Sequence, residues 1–551
     1  GDTCPAFLDE ARAHHSTRYW LLKTLCLNNL YGVDLMAEAT EVAKLRLFLK
    51  LAAQLDDASH IEPLPDLDFN IKSGNLLVGI TDEDDIARRF QARGVLPFGL
   101  DELEDAVESI AVAYEEFMTV QDSNDDQHTL RQAKGLLKTR INAVTDQADR
   151  GLHKMRGEAV SVEAWTQTHS PFHWFIEFPT IWRNGGFDVI IGNPPYIGLK
   201  SKQRDQFDYT WQGYETENCP DLYAVCTERA STLLNDQGRF AMIVMHSICF
   251  HKGFKPLRDH LRGSLSTLWV SSFSRIPDGL FSGSARVRNT IIIGSSRGLS
   301  KLSTSHCRRW LSTNRPWLFP TQEYTQPSNS LLRCGEIQQW PFVHDPLITK
   351  AFTHMSLTQQ PIADTVTNGG NIALGYKPTA QYMLGVFVDE PPTVDPITAL
   401  SVTGKPSGWL HFEDYQHRDL ALMSLAGRWG YLWWLMFGDE FNVTRNVLTA
   451  LPCDIERLTT AKELSPAPCD MELESLVNRI LNLANELKNE MPKHLAWKIN
   501  AGIKVGRYNM LKCRHITDES DWLLAQAWGL TREQYEAAGN LRDRMTFGNR
   551  E

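Results

Sequence analysis

The 551-residue chain has no apolar run that approaches the roughly eighteen residues of a membrane-spanning helix. Its first residues, GDTCPAFLDEARAHH, lack the shape of a secretory signal. The ten cysteines are scattered, with no C-x-x-C pair and no histidine-rich tract beside them, which argues against a zinc site or a disulfide framework. These absences lead us to expect a cytoplasmic protein in a reducing compartment, with no membrane partner and no metal. There is no internal repeat, no low-complexity tract and no P-D…(D/E)-x-K nuclease cluster. The ELK of Glu486–Lys488 falls in an amphipathic helical pattern and reads as a surface stretch. Positive charge is also short. The 56 Lys and Arg against 67 Asp and Glu give a net charge of −11, which alone argues against a phosphate backbone as partner.

What is present is ordinary in bulk. Hydrophobic residues make up 42% and charged residues 22% of the chain, and the length suits roughly three or four domains. The charge is unevenly spread. Between His251 and Trp310 stand eleven basic residues and only two acidic ones, Asp259 and Asp278. Such a run is either a solvated positive face or an edge that meets DNA.

Residues 17–80 read as α/β. TRYWLLKTLCLNN has helical spacing, LYGVD is a short strand ending at Asp34, and AEATEVAKLRLFLKLAAQL is a strong helix. LDFNIKSGNLLVG then predicts a second strand that leaves through Gly74 and Asn75. Strands alternating with helices imply a parallel, doubly wound sheet. From about 81 to 165 the rhythm changes to two helices. Val107, Ile110, Ala111, Tyr114 and Phe117 share one face of the first, and a packing insertion is expected. Strand and helix patterns return with FDVIIG, DLYAVCTERASTLLN, RFAMIVMH, TLWVSSFS and RNTIIIG. From about 300 to 460 the texture is rich in Pro, Gly, Ser, Thr and Trp, which suggests a separate, irregular domain. The tail from Met471 reads as helical.

FDVIIG is a buried strand by composition, and it runs directly into Asn193-Pro194-Pro195-Tyr196. In an open sheet, ligands sit beyond the carboxyl ends of the strands. Two prolines fix φ near −65° and remove two donors, so the loop is stiff and presents carbonyl acceptors. Asn193 adds a side-chain acceptor and Tyr196 a flat ring. Two convergent acceptors suit an –NH2 group. An exocyclic amine is a poor nucleophile because its lone pair is delocalised into the ring. Hydrogen bonds from its two N–H groups to Asn193 Oδ1 and the Pro194 carbonyl favour a more tetrahedral nitrogen, so positioning does most of the work. A duplex base reaches such a pocket only when flipped out, where an aromatic ring can stack on it. By chance the four letters would occur in a chain of this length on the order of a few times in a thousand, so the motif is specific.

The order NNLYGVDLMAEATEVAKLRLFLKL, FNIKSGNLLVG, FDVIIGNPPYI, DLYAVCTERASTLLNDQGRFAMIVMHS and GLFSGSARVRNTIII resembles the γ-class N6-adenine DNA methyltransferases. It is most similar to the large type IIG restriction–modification methylases and their relatives in phage-defence systems of the DISARM and BREX kind. The resemblance covers about 17–300 and, more loosely, the rest. It implies S-adenosylmethionine as cofactor, double-stranded DNA as partner, and other subunits of a defence system as further partners. It assigns Asn193, Pro194, Pro195 and Tyr196 to the catalytic loop and Phe281 to a second aromatic against the flipped base, although a core Phe fits equally. It assigns Asp34 to the ribose hydroxyls of the cofactor, with a helix N-cap as the plainer reading. Asn75 matches a position near the cofactor adenine where the family often has Asp. Asp221 and Tyr223 match the segment lining the donor and target pockets, and a helix-start Asp suits Asp221 as well.

On this resemblance 1–300 is a catalytic domain of Rossmann-like α/β fold with a helical insertion at about 81–165. Residues 301–465 would be a mixed α+β target-recognition domain and 466–551 a helical C-terminal region. Asn371, Arg418 and Arg445 are candidate DNA contacts. The glycine-rich motif that holds the methionine end of the cofactor is expected ahead of Asp34 and is not found there, so the sequence reads as a piece of a longer methylase. Two other functions fit the residues. One is N5-glutamine methylation of a protein, or methylation of RNA, through the same loop. The other is a catalytically silent DNA-binding specificity or scaffold subunit.

Overall fold

The computed structural model describes residues 3–55, 65–82, 85, 100–122, 127–157, 159–200, 209, 213–281, 287–332, 338–343, 345–380, 383–402, 406–460, 468–500 and 502–547. Two compact units result: Gly1–Phe240 with Ser295–Arg297, and Ala241–Gly294 with Gly298–Glu551.

The first unit opens with helices α1 (Thr3–Ala13) and α2 (Thr17–Asn28), the second capped by Ser16, which accepts from the Tyr19 N–H. Strand β1 (Gly32–Asp34), helix α3 (Ala37–Ala52) and strand β2 (Ile71–Ser73) follow. β1 and β2 are parallel, with Gly32 opposite Ile71 and Asp34 opposite Ser73. β2 is far shorter than its sequence suggests, because the chain turns away at Gly74. At Gly79 it takes φ +145°, where a Cβ would lie 2.0 Å from the Phe172 carbonyl oxygen, so only glycine fits.

Helices α4 (Leu100–Asp122) and α5 (Gln127–Arg156) form a hairpin, while residues 86–99 just before it lie outside the described residues. Ile110, Tyr114 and Phe117 of α4 meet Leu137, Ile141 and Val144 of α5. Both pack on Phe69, Val78 and Ile80 and on Trp165 of α6 (Val162–His169). Polar ties fix the hairpin to the strand region. Lys134 bridges Asp66 and Asp68, and buried His173 sits between Asp149 (3.0 Å) and the Ile80 N–H (3.3 Å).

Strand β3 (Phe187–Gly192) leads to the proline pair, and helix α7 (Leu222–Thr232) to strand β4 (Leu234–Met245). Composition made β3 a buried strand, and the structure differs. Val189 is 58% and Ile191 77% exposed, because β3 stands at the end of its strand order beside β4 alone.

The second unit takes the end of β4, helix α8 (Lys255–Ser264) and strands β5 (Thr267–Phe273), β6 (Asn289–Ser295) and β7 (Lys301–Arg308), ordered β4-β6-β5-β7. β5 and β7 are parallel, but β6 runs against β4, with the His246 N–H donating to Arg288 O. The sheet is therefore mixed rather than parallel throughout. No helix is found among the described residues between β5 and β6, and a parallel neighbour would need such a crossover.

Among the remaining elements are α9 (Pro346–Thr358), β8 (Ile372–Tyr376), β9 (Val386–Phe387), β10 (Thr393–Val394), β11 (Gly408–Phe412), α10 (Tyr415–Ala426), α11 (Arg428–Phe437), α12 (Pro468–Glu490), β12 (Leu495–Asn500), β13 (Ile503–Tyr508), α13 (Arg514–Ala527) and α14 (Arg532–Phe547). Two expectations change here. The stretch 300–460 is not merely irregular, since α10 and α11 are almost entirely buried at the centre of the unit's core. Their indoles are satisfied: Trp429 donates to Asp521 O, Trp433 to Val447 O and Trp434 to Asn442 O. The tail is not wholly helical either. β12 and β13 form an antiparallel hairpin in the sheet β10-β13-β12, turning at Gly502 with φ +79°.

Candidate functional site

β1 and β2 end side by side, and Asp34 and Asn75 stand at and just past their carboxyl ends. The Gly74 N–H donates to Asp34 O, which locks the two exits together. Asp34 is not the N-cap of α3. That place belongs to Met36, which makes no side-chain cap, while Asp34 Oδ1 accepts from the Met36 N–H at 2.8 Å. The carboxylate is exposed and keeps its second oxygen for other donors. Asn75 Oδ1 accepts from the Leu77 N–H (3.1 Å), and its –NH2 has no acceptor among the described residues.

β3 delivers the proline loop. Asn193 is exposed and Tyr196 half-buried, and the Tyr196 hydroxyl donates to Asn193 Oδ1 at 3.1 Å. The side-chain acceptor expected to meet a substrate amine is therefore engaged by the loop's own phenol. Among the described residues no N–H donates to the Pro194 carbonyl. The Tyr196 ring stands edge-on to fully buried Tyr223, with centroids 6.3 Å apart at 83°.

The chain leaving the loop is stitched to the start of α7. Leu222 N–H donates to Ile197 O (2.9 Å) and Leu199 N–H to Pro220 O (2.8 Å). Asp221 is the N-cap of α7, and its Oδ1 accepts from Tyr223 N–H (3.3 Å) and also from Ile197 N–H (3.1 Å), one residue beyond Tyr196. Burial pushes the Asp221 carboxyl above its ordinary range, opposed by the N–H groups of Tyr223, Ile197 and Leu222. The carboxylate thus positions the loop, a role that the helix-start reading had half anticipated. The sequence alone did not show that one oxygen would serve both the helix and the loop.

Phe281 lies in the second unit and is exposed, so it is no core residue. Its neighbour Leu280 is buried with Phe273, Trp310 and Leu318, and Arg315 donates to the Leu280 carbonyl at 3.0 Å.

The basic run does not make one surface. Arg258 is buried and donates to Gln338 O, Ile248 O and His251 O; Lys255 pairs with Asp259; Arg308 holds Leu318 O; and Arg286 lies outside the described residues. Arg418 is likewise withdrawn from any DNA role. It is buried and bidentate to Asp419 at 2.9 and 2.7 Å, whereas Asn371 and Arg445 are exposed. Among the described residues no cluster of His, Cys, Asp or Glu could hold a metal, and no helix is long and apolar enough to cross a membrane.

Residues 28–273 match the family model of the Eco57I restriction-modification methylase. A Methanocaldococcus jannaschii protein named as a type II restriction enzyme and methyltransferase is 27% identical over 330 residues, 49% of this chain and 26% of that protein. The adenine-specific methyltransferase PglX of Lacticaseibacillus casei is 32% identical over 75 residues, 14% of this chain and 6% of its own length. The chain therefore spans about a quarter or less of these relatives. Among solved structures, the type IIL restriction-modification enzyme MmeI in complex with DNA aligns with TM-score 0.36 and 11% identity, covering 99% of this chain and 78% of that one. A nuclease-deletion mutant of the type ISP enzyme LlaGI with a DNA substrate mimic aligns with TM-score 0.25 and 15% identity, covering 42% and 25%.

Proposed function

We propose that the protein is a site-specific DNA methyltransferase that moves a methyl group from S-adenosylmethionine to the N6 amine of a flipped adenine, within a restriction–modification or phage-defence system. The observation that carries this reading is the Asn193–Tyr196 loop. It leaves the carboxyl end of β3 with an exposed amide, a carbonyl that takes no N–H among the described residues and an aromatic ring. The restriction–modification family match over 28–273 spans Asp34, Asn75, the loop and Asp221. Phe281 lies beyond it and enters on resemblance alone.

The donor set suits the adenosine half of the cofactor. The Asp34 carboxylate, with one oxygen uncommitted, fits a pair of ribose hydroxyls, and the Asn75 amide –NH2 fits a ring-nitrogen acceptor. When bound, S-adenosylmethionine supplies an electrophilic sulfonium methyl. The chain's own residues then act on the amine. Asn193 Oδ1 and the Pro194 carbonyl each accept one N–H, which draws the nitrogen toward a tetrahedral shape with its lone pair directed at the methyl. Asn193 Oδ1 has a second lone pair for the amine beside the one that accepts from the Tyr196 hydroxyl. The Tyr196 ring, backed by Tyr223, stacks on the base, and Asp221 keeps the loop in register. The N–CH3 bond would form as the methyl's bond to the sulfonium sulfur breaks, leaving a neutral thioether, and the amine's surplus proton would then pass to solvent, so no strong general base is required before attack.

The test is transfer of label from S-adenosylmethionine to unmethylated genomic DNA, followed by digestion to nucleosides. It should be run with this chain and with the longest natural polypeptide that contains it. Label in N6-methyladenine supports the reading. Label in N4-methylcytosine, in RNA or in protein glutamine overturns it.

A further inference from the structure

The chain carries a net charge of −11, yet Met491–Thr517 holds six basic residues and no acidic one. This stretch contains the β12–β13 hairpin. Its base is anchored in the second unit's core through Met491, Met510 and Cys513, and Asn509 N–H donates to His494 O at 2.9 Å. Its body is open. Trp497 is 42% and Ile499 69% exposed. Lys498, Lys504, Arg507 and Lys512 have no acidic partner among the described residues, whereas Lys493 and Arg514 are paired with Glu490 and Asp518.

Pairing register fixes which side each residue takes. Trp497 faces Gly506 and Ile499 faces Lys504, so Trp497, Ile499 and Lys504 share one face. The Lys504 ammonium lies 4.9 Å from the Trp497 ring centroid. Lys498 opposite Val505 and Arg507 opposite Ala496 take the other face. Lysines on an edge strand commonly serve to block edge-to-edge pairing, and that would account for Lys498 on β12. It does not account for Lys504 and Arg507, which stand on β13, the central strand with β10 on one side and β12 on the other. Cations on both faces of a hairpin roughly 20 Å long, with an exposed indole and isoleucine beside them, match a polyanion that meets the hairpin from its open β12 edge, since β13 is covered by β10.

We propose that the Leu495–Tyr508 hairpin is a DNA-contact element that lays its open β12 edge against duplex DNA. Lys498 and Arg507 on one face and Lys504 on the other reach backbone phosphates, and exposed Trp497 and Ile499 lie against sugars and base edges. The assignment rests on the reading of duplex DNA as the substrate. It places a second DNA contact in a region that the sequence had offered only as a helical tail.

The experiment is equilibrium binding of the full chain to a fluorescent random-sequence duplex over a series of KCl concentrations. The parent is compared with K498A/K504A/R507A and with the milder K498A/R507A. Each phosphate contact contributes about 0.9 to the slope of log K against log salt. The triple variant should therefore lose about 2–3 from the slope and the double variant about 2, with unchanged melting temperature. A parent that binds duplex DNA and a folded variant with the same slope would overturn the hairpin contact alone. Failure of the parent to bind duplex DNA would overturn the functional reading with it. An unchanged slope together with a shift from dimer to monomer in light scattering would reassign the hairpin to self-association.

Discussion

β3 and α11 are two apolar segments of similar composition with opposite fates. FDVIIG sits at the end of a strand order with Val189 and Ile191 turned to solvent, and α3 in the same unit exposes Val42, Leu45 and Leu49 along one face. RWGYLWWLMF is buried at every position and lies in the core with Phe352, Leu420 and Trp528. Hydrophobicity alone does not separate them. What separates them is the number of partners: α11 is enclosed by helices, while β3 has β4 on one side. The difference divides labour in the chain. Stability is concentrated where burial is complete, and the candidate chemistry stands where it is not, at strand ends whose polar groups remain partly uncommitted.

The sharpest way to break this contrast is to remove a charge from the buried region. Asp521 is fully buried, its Oδ2 accepting the Arg428 backbone N–H (2.8 Å) and Nε (3.3 Å), and burial pushes its carboxyl up to about 6. Asp521→Ala should destabilise the second unit by about 3–5 kcal/mol, read by denaturant unfolding, because it strands a buried guanidinium. A change under 1 kcal/mol would mean that Asp518 alone suffices for Arg428. Next in size is Tyr196. Tyr196→Ala should lower kcat/KM for methyl transfer by roughly 5- to 150-fold, as expected for loss of a stacking ring worth about 1–3 kcal/mol. Tyr196→Phe, which keeps the ring and frees Asn193 Oδ1, should stay within a few fold of the parent. Equal losses in both would show that the hydroxyl matters in its own right.

On the exposed side, Val189→Thr with Ile191→Thr should change unfolding free energy by about 0.5 kcal/mol or less, as surface substitutions do. A large loss would show that β3 is covered in solution. The smallest effect concerns pH. His417 lies between Asp414 (2.7 Å) and Glu456 (3.0 Å). Burial lowers its basicity, but the hydrogen bonds and charges of Glu456 and Asp414 outweigh it and raise the imidazole above its ordinary value. A raised histidine contributes stability that is full below the unfolded value near 6.5 and fades as pH climbs through the folded one. Melting temperature should therefore fall slightly more from pH 6 to pH 8 in the parent than in His417→Gln.

Much of the first unit was legible because helical periodicity and turn residues are local signals. α2, β1, α3 and the pattern of buried residues on α4 could be read directly from spacing. The proline loop could be read because few other reasons place Asn-Pro-Pro-Tyr at a strand end. Three features were not legible, each because it depends on partners distant in sequence. The exposure of β3 depends on which strands flank it. The bond from Tyr196 to Asn193 and the double duty of Asp221 depend on how the loop folds back onto α7. The withdrawal of Arg258 and Arg418 from any nucleic-acid surface depends on carbonyls and a carboxylate that enclose them, which a count of charges does not reveal. The β12–β13 hairpin was legible in the alternation of LAWKINAGIKVGRY around Gly502, but the helical pattern on either side dominated.

The central claim is that Asn193 acts directly on a substrate amine. The most direct measurement is single-turnover methyl transfer to duplex DNA by the parent, Asn193→Ala and Asn193→Asp, with duplex affinity measured in parallel. The account predicts that Asn193→Ala loses on the order of 10²–10³-fold in rate with its DNA affinity and melting temperature unchanged. It also predicts that Asn193→Asp, which keeps an acceptor oxygen, retains more activity than Asn193→Ala. A rate within a few fold of the parent in Asn193→Ala would contradict the account and move the chemistry away from this loop.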